Sequence, residues 1–426
     1  MSLLTVAIIA IIAFALIEAP LFAVIAALSM VCLYAVDADP MAIQTVLIEM
    51  NRLASMPVLV ALPLFTFVGC LLTETQAPRR IMNFMQAAMG WLPGGLAIAA
   101  VCSCAFFTAL TGASGVTIVA VGGVLYPILR QRDYSEKFTL GLLTTSGSRG
   151  LLFPPSLPII LYGVVAQIDI QQLFTAALIP GILSILVMSA YAFANQVRTT
   201  QRPREPVSFQ GLKTAFMQGL WDWPIVVIIL VGVYGGFVTI AEVSVLVVVY
   251  VVVVECFILR EISFWRQLPA IIIESTILSG AIIIILGVAL GFTGYLVDEQ
   301  IPNRILAYFT ALTQSRLAFL AGLNVFLLFV GCTMDIFSAI IIVVPIIVPI
   351  AVQYGVDPVH LGIIFLMNLE IGYSTPPVGM NLFIASLKFK KPVTLLYGAS
   401  VPYLILMLAL LMLVTYLPDL SLCLLK

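Results

Sequence analysis

Long apolar stretches separated by short polar loops run along nearly the whole chain. They cover Leu3–Val36, Ala54–Leu72, Leu173–Ala194, Ile225–Val238, Val243–Leu259, Pro269–Val297 and Leu395–Leu417. A membrane-spanning helix needs about 20 apolar residues. The period-two alternation of membrane β-barrels is absent, and a helix satisfies its own backbone in hydrocarbon. The pattern therefore predicts an all-α polytopic membrane protein with roughly a dozen membrane segments.

The composition agrees with a membrane location. Hydrophobic residues make up 62% and charged residues 9% of the 426 positions, whereas soluble domains carry about 25% charged residues. The apolar N-terminus exceeds the length of a signal peptide, so we expect a retained helix. Seven cysteines contain no CxxC pair and are interpreted as buried apolar residues. The single histidine, His360, argues against His-based zinc chemistry, and its place after Asp357 predicts a helix-capping or surface role.

Glycine and proline positions recur at a spacing of 222 residues. Gly150–Pro155 matches Gly372–Pro377, Pro127 matches Pro349, Thr111 matches Thr333, and Phe107 matches Phe329. Upstream the offset becomes 224, where Pro78–Ile81 matches Pro302–Ile305. Chance matches of Leu or Val are frequent in so apolar a chain, but aligned Pro-Pro and Gly are not. The chain therefore contains an internal repeat.

Loop charges indicate that the two repeats are inverted. The loop Arg130–Lys137 carries three basic residues, so the positive-inside rule places it in the cytoplasm. Its equivalent, Val352–Val359, has no Lys or Arg. Arg304 and Arg316 run against the rule, while most other loops follow it. Inverted-topology repeats are typical of secondary transporters.

Each half contains two stretches that interrupt a membrane helix. They are Thr111–Gly115 and Ser146–Pro155 in the first half, and Cys332–Asp335 and Gly372–Pro377 in the second. Glycine and proline free backbone groups, and freed carbonyls suit a cation whereas freed N–H groups suit an anion. Close helix packing is the alternative for a single glycine. Four interruptions in two related pairs favour a binding site.

The repeats and charges define the boundaries that we expect. Residues 1–53 are predicted to hold an N-terminal scaffold helix, 54–196 the first inverted repeat, 197–266 a basic loop and a central scaffold helix pair, and 267–426 the second inverted repeat. Each repeat is predicted to contain a re-entrant helical hairpin and a broken helix: about 79–130 and 138–166 in the first, about 304–350 and 359–386 in the second.

Three charges within apolar surroundings, Asp335, Arg149 and Glu370, are candidates for function, because charges in a bilayer are costly. Asp335, at the second hairpin tip, is expected to complete a cation site with backbone and hydroxyl oxygens. Arg149, in the first broken helix, is expected to bind a carboxylate or sulfonate. The alternative for Arg149 is a salt bridge with Glu370 or a snorkelling end. Glu255 is interpreted as an interfacial or inter-helix contact.

Several of these segments resemble the large membrane subunit of tripartite ATP-independent periplasmic (TRAP) transporters, the DctM family. The resemblance lies in Gly150–Gly163, Trp221–Glu242, Asp357–Gly362 and Asn368–Phe383. It implies a Na⁺-coupled importer of a small organic anion, not an enzyme, in the bacterial inner (cytoplasmic) membrane. It also implies an elevator motion in which hairpins and broken helices move against a scaffold. The implied partners are the lipid bilayer, a small four-helix membrane subunit (DctQ-type) and a periplasmic solute-binding protein (DctP-type), with no nucleic acid.

The resemblance also assigns the site residues. The implied sodium residues are Thr111, Gly112, Ser114, Gly115, Ser146 and Gly147 in the first half, and Thr333, Asp335, Gly372, Ser374 and Thr375 in the second. The substrate residues that we expect are Ser148, Arg149, Gly150, Pro154, Pro155, Pro376, Pro377 and Asn381. No other metal and no organic cofactor is expected. Arg149 departs from the family pattern, where an uncharged residue usually precedes the glycine. This departure leaves the substrate open and favours a strongly acidic group such as sulfonate.

Other functions remain as alternatives. A stand-alone sodium–carboxylate symporter of related inverted-hairpin architecture would work without a binding protein. An intramembrane enzyme would need a catalytic pair at depth, which a lone His360 outside the interruptions does not provide. A passive channel would not require paired broken helices.

Overall fold

The computed structural model of the chain describes residues 21–37, 44–199, 209–236, 238–300, 304, 307 and 314–425. The described residues form helices and loops without β-strands, which confirms the predicted all-α class. Part of the predicted N-terminal scaffold helix, most of the basic loop and the start of the second hairpin lie outside the described residues.

The helices include long apolar segments and short amphipathic ones. Those up to the basic loop are α1 Leu21–Asp37, α2 Gln44–Ala54, α3 Ala61–Thr73, α4 Ala77–Met89, α5 Gly95–Thr111, α6 Ser114–Gln131, α7 Glu136–Ser146, α8 Leu157–Ala166 and α9 Ile170–Thr199. Those after it are α10 Phe209–Gln218, α11 Trp223–Gly235, α12 Ile240–Ile258, α13 Leu268–Asp298, α14 Arg316–Thr333, α15 Ile336–Gln353, α16 Pro358–Gly372, α17 Met380–Phe389, α18 Val393–Tyr416 and α19 Asp419–Leu422.

Within the described part of the chain, seven helices are long and apolar enough to cross a membrane. Three further pairs pass the same test together but bend at a short break: α2 with α3 by 70°, α7 with α8 by 47°, and α10 with α11 by 77°. The total of seven to ten agrees with a polytopic membrane protein.

The first hairpin consists of α5 and α6, which meet at Gly112. α5 ends there because Gly112 adopts a left-handed conformation with φ of 65°, which strains other residues. The hydroxyl oxygen of Thr108 on α5 lies 2.7 Å from that of Thr117 on α6, so the two arms run side by side. The predicted bounds of this hairpin, about 79–130, also include most of the amphipathic helix α4.

The second hairpin consists of α14 and α15, and its tip has a different structure. Asp335 caps α15: its Oδ2 accepts hydrogen bonds from the backbone N–H groups of Phe337 and Ser338, both at 3.0 Å. A capping carboxylate satisfies N–H groups that a helix start leaves free and interacts well with the helix dipole. The two tips therefore lie at equivalent positions but turn through different chemistry.

The two broken helices pack on the hairpins in equivalent ways. A Cβ atom placed on Gly150 would lie 2.4 Å from the nitrogen of Ala109 on α5. A Cβ atom placed on Gly372 would lie 2.6 Å from the carbonyl carbon of Gly331 on α14. Ala109 and Gly331 are separated by the same 222 residues as the two glycines. The sequence repeat is therefore also a repeat of packing.

Candidate functional site

The interruptions of the two halves meet where the first hairpin tip contacts the second broken helix. Ser114, at the start of α6, donates a hydrogen bond from its hydroxyl to Asn381 Oδ1 on α17, at 2.8 Å. A Cβ atom placed on Gly115 would lie 2.5 Å from Ile384 Cδ1. The structure thus brings a predicted sodium residue of one half against a predicted substrate residue of the other.

In the first half, the hairpin tip and the first broken helix form one polar cluster. The Thr108 hydroxyl oxygen lies 2.7 Å from the carbonyl oxygen of Gly147. A Cβ atom placed on Gly147 would lie 3.3 Å from the carbonyl oxygen of Ser114. Thr111, also predicted for sodium, packs against α3, where a Cβ atom on Gly69 would lie 2.7 Å from its Cα. The hydroxyl of Ser146 is buried without a hydrogen-bond partner.

In the second half, the predicted sodium residues are split between bonded and unbonded hydroxyls. The Thr333 hydroxyl donates to the carbonyl oxygen of Phe329 at 3.0 Å, and the Thr375 hydroxyl to that of Ile371 at 2.8 Å. The Ser374 hydroxyl is buried without a partner. The second break also packs directly against the tip, because the Gly379 N–H donates to the Cys332 carbonyl oxygen at 3.0 Å.

The carboxylate of Asp335 is hydrogen-bonded within the start of α15. Its Oδ2 accepts the two backbone bonds that cap α15, and its Oδ1 accepts the hydroxyl of Ser338. Both carboxylate oxygens are therefore engaged within its own helix start. The carboxylate could add a ligand to a cation only through lone pairs that these bonds leave unused.

Arg149 lies buried at the junction of the two repeats. Its Nη1 lies 3.4 Å from Glu370 Oε2, and the two side chains are 2% and 1% exposed. Its Nε donates to the carbonyl oxygen of Thr145 at 3.1 Å. The salt bridge that the sequence analysis gave as the alternative to substrate binding is therefore present. In this conformation the guanidinium group does not face an open surface.

The pair lies close to the local symmetry axis of the repeats. Glu370 is the residue equivalent to Ser148, and the Ser148 hydroxyl donates to the Glu370 carbonyl oxygen at 3.4 Å. Glu370 Oε1 is buried without a hydrogen-bond partner. Buried charges are tolerated when they are paired, and removing one partner leaves the other uncompensated. Arg149 and Glu370 therefore tie the first broken helix to the second.

The two Pro-Pro pairs, predicted to contact substrate, differ in exposure. Pro154 and Pro155 are buried, whereas Pro376 and Pro377 are exposed. Both Pro-Pro peptide bonds are cis. The first break is thus covered by the rest of the chain, while the second break is open along one side.

A second charged cluster, which sequence reasoning missed, joins α4 to the central helices. Arg80 contacts Asp222 Oδ2 at 2.7 Å, Glu255 Oε1 at 3.0 Å and Glu261 Oε1 at 2.5 Å. Burial lowers the pKa of Arg80, but the three carboxylates outweigh it and hold the pKa above its ordinary value. The contact of Glu255 agrees with its interpretation as an inter-helix residue. The partners are too far apart in sequence for spacing to reveal the cluster.

The predicted surface role of His360 is wrong. Asp357 caps α16 as its position predicts, accepting from the N–H groups of Val359 and His360. The imidazole, however, is fully buried rather than on the surface. Its Nδ1 lies 2.7 Å from the Ser421 hydroxyl and its Nε2 lies 3.3 Å from the Thr415 carbonyl oxygen. The side chain therefore joins α16 to α18 and α19.

Similarity to known proteins extends over nearly the whole chain. The family model described as "Tripartite ATP-independent periplasmic transporter, DctM component" matches residues 5–420. The C4-dicarboxylate TRAP transporter large permease protein DctM of Pseudomonas aeruginosa is 35% identical over 91% of this chain and 90% of its own length. The isethionate TRAP transporter permease protein DctMQ of Oleidesulfovibrio alaskensis is 35% identical over 87% of this chain, which spans 58% of that protein.

A solved structure shares the fold. The YdaH transporter of Alcanivorax borkumensis superimposes with a TM-score of 0.64 over 89% of each chain. The two sequences are only 11% identical, so the likeness concerns the fold alone. Together with the family match, it confirms a multi-pass membrane protein with a transporter fold.

Proposed function

The chain belongs to the DctM family of TRAP transporter components, and from this premise we propose that it imports a small organic anion in a Na⁺-coupled, binding-protein-dependent manner. The proposed complex adds a small four-helix membrane subunit and a periplasmic solute-binding protein that delivers the substrate. Its proposed location is the bacterial inner membrane. The substrates in the names of two relatives, C4-dicarboxylates and isethionate, are carboxylates and a sulfonate, which fits the proposed class.

The observation that carries the proposal is a buried hydroxyl at each break that has no hydrogen-bond partner among the described residues. Ser146 and Ser374 lie at the two breaks, one in each half, and were both predicted as sodium residues. A buried polar group without a partner costs about 1–3 kcal/mol, so a bound ion would relieve that cost. Breaks in membrane helices also supply carbonyl oxygens of the kind that coordinate Na⁺. Among the described residues, no group of three or more His, Cys, Asp or Glu side chains is arranged for another metal.

We assign the sodium role to the hydroxyls and backbone oxygens around both breaks. The proposed residues are Thr111, Gly112, Ser114, Gly115, Ser146 and Gly147, with Thr333, Asp335, Gly372, Ser374 and Thr375. Of the side chains in this set, those of Ser146 and Ser374 are the ones without a hydrogen-bond partner in the part of the chain that the structure describes. We therefore expect these two to respond most to the ion.

The substrate anion is proposed to bind beside the sodium residues, at Ser148, Gly150, Asn381 and the two Pro-Pro pairs. Asn381 supports this assignment because its Nδ2 is buried without a hydrogen-bond acceptor. An amide N–H₂ group donates two hydrogen bonds and suits a carboxylate or sulfonate oxygen. Arg149 belongs to the same segment, and its pair with Glu370 favours a positioning role over direct contact.

Transport is proposed to occur by an elevator motion. The hairpins α5–α6 and α14–α15 would move together with the broken helices α7–α8 and α16–α17, while α11, α12 and α13 form the scaffold. The close packing of Gly150 and Gly372 on their hairpins supports movement of these parts as one body. A rigid body can carry the ion and the anion together across the membrane.

The test is uptake into liposomes that hold this chain and the small subunit, with the binding protein outside. A C4-dicarboxylate and isethionate serve as substrates. We expect uptake only when both an inward Na⁺ gradient and the binding protein are present. Uptake that persists after K⁺ replaces Na⁺ would contradict the coupling. Uptake without the binding protein would favour the stand-alone symporter instead.

A further inference from the structure

An apolar cavity of about 370 Å³ separates the first hairpin and first break from the central helices. It is lined by Cys102 and Phe106 of α5, Phe153 and Pro154 of the break, and Val226 and Leu230 of α11, together with side chains of α9. None of the described residues that line it is charged. Tyr234 carries one of the few polar groups, and its hydroxyl already bonds to the carbonyl oxygen of Phe174 at 3.3 Å. Water needs two to four polar partners, so this cavity does not suit water.

The cavity reaches the outer surface at α11, where exposed side chains are apolar. Leu230 both lines the cavity and is 44% exposed, so it lies at the mouth. Large apolar side chains are also exposed on α9 (Ile182 and Leu186) and on α11 (Val227 and Val231), each by 43–56%. In a multi-pass membrane protein such a surface faces lipid hydrocarbon. The cavity is therefore continuous with the surroundings of the protein.

We propose that this cavity binds an acyl chain of a membrane lipid, which enters between α9 and α11. Apolar surface alone does not drive a chain out of the bilayer, because lipid tails are as apolar as leucine. The driving force is packing, since atoms that line an empty cavity lose dispersion contacts that an acyl chain restores. The headgroup stays outside, because no charged group lines the cavity.

The position of the cavity gives the bound acyl chain a role in transport. Its lining joins α5 and the first break, which the proposed function assigns to the moving part, to α11, which it assigns to the scaffold. An apolar group that is fixed there should oppose sliding between the two. This second part rests on the proposed function, whereas the binding of an acyl chain does not.

The test uses the complex of this chain with its small subunit, in phosphatidylcholine vesicles that contain a phospholipid with a diazirine near the end of one acyl chain. After irradiation, labelled peptides are identified by mass spectrometry. We expect label on α5 around Cys102 and Phe106. Val226→Phe places a larger side chain in the path of the acyl chain and should lower this label by about tenfold, the ratio that corresponds to 1.4 kcal/mol of binding.

Val227→Phe is the matched control, because Val227 is adjacent on α11 but 56% exposed on the outer surface. It should leave the label on α5 unchanged. Equal labelling of α5 in both variants would overturn the proposal, as would label confined to the outer faces of α9 and α11. Label that appears on α5 only when the small subunit is omitted would show that a partner helix, not lipid, covers the mouth.

Transport by the same two variants separates the two parts of the inference. Thermal unfolding first establishes that both variants fold. Val226→Phe should then lower the maximal uptake rate several-fold, without changing the substrate concentration that gives half-maximal uptake. Equal rates for Val226→Phe and Val227→Phe would overturn the role in transport while the labelling result stands. Loss of Na⁺ dependence in the unmodified complex would instead contradict the proposed function.

Discussion

The first and second breaks of this protein share one frame but differ in chemistry. Gly150 and Gly372 occupy equivalent places against equivalent hairpin arms, at distances that leave no room for a side chain. The hairpin tips beside them differ, because one turns at Gly112 and the other at the capping carboxylate of Asp335. Backbone packing is therefore what the two halves preserve, and side-chain chemistry is what each has changed.

The halves also differ in burial and charge. The first Pro-Pro pair is buried and the second is exposed. Arg149 reaches from the first break to Glu370 before the second, while the residues equivalent to them, Ile371 and Ser148, carry no charge. The ion pair therefore occurs once and has no counterpart between the equivalent residues. A symmetric frame that holds an asymmetric site suits a transporter that binds an ion and an anion in different places.

The largest expected effect comes from breaking the Arg149–Glu370 pair. Arg149→Met or Glu370→Gln alone leaves a buried charge without its partner, which should cost about 3–5 kcal/mol of stability. The double variant Arg149→Met/Glu370→Gln removes both charges and should recover most of that loss. Thermal unfolding of the purified complex measures the three variants. A double variant as unstable as either single one would show that the pair itself is not the cause.

The same variants distinguish positioning from substrate binding. If Arg149 only holds the two breaks together, the double variant should recover uptake with an unchanged half-saturating substrate concentration. A double variant that folds normally but needs far more substrate would mean that Arg149 contacts the anion directly.

Intermediate effects are expected from the two equivalent glycines. Gly150→Ala would place a Cβ atom 2.1 Å from the Ala105 carbonyl oxygen, and Gly372→Ala would place one 2.6 Å from Gly331 backbone atoms. Forcing atoms into packed backbone typically costs about 1–3 kcal/mol. Both variants should be destabilised, with Gly150→Ala the more affected. Gly280→Ala is the control, because its Cβ would meet nothing within 4 Å. A large loss in one half and none in the other would contradict the shared frame.

A smaller effect is expected at the second tip. Asp335→Ala removes the helix cap and should cost about 1 kcal/mol, whereas Asp335→Ser keeps a capping oxygen and should cost less. Both changes remove a carboxylate, so both should raise the Na⁺ concentration needed for half-maximal uptake. If Asp335→Ser keeps the sodium response of the unmodified chain, Asp335 is a cap and not a sodium ligand.

Much of the frame could be predicted from sequence, because glycine and proline constrain the backbone wherever they occur. The repeat of Gly150–Pro155 in Gly372–Pro377 predicted both breaks, and the hairpin tips lie at the expected places. The predicted bounds of the first hairpin also include the amphipathic helix α4, whose limits the sequence repeat did not indicate. Helix boundaries depend on caps and packing that composition does not encode.

Side-chain partners could not be predicted in the same way. Arg80 meets residues 142 to 181 positions away, and no local pattern reports such contacts. From the sequence, either a substrate or Glu370 could be the partner of Arg149. Only packing brings Thr145, Met407 and Glu370 to its guanidinium group. The burial of His360 depends likewise on α19, which follows it by about 60 residues.

The most direct test of the sodium site is stabilisation of the purified complex by Na⁺. A ligand that binds the folded state raises stability as its concentration exceeds the dissociation constant. The account predicts that Na⁺ raises the unfolding temperature more than K⁺ does, and that Ser146→Ala and Ser374→Ala each weaken this effect. Ser103→Ala should keep it, because Ser103 is equally buried and unpartnered but lies outside the breaks. Equal stabilisation by Na⁺ and K⁺, or an undiminished Na⁺ response in both break variants, would contradict the proposed site.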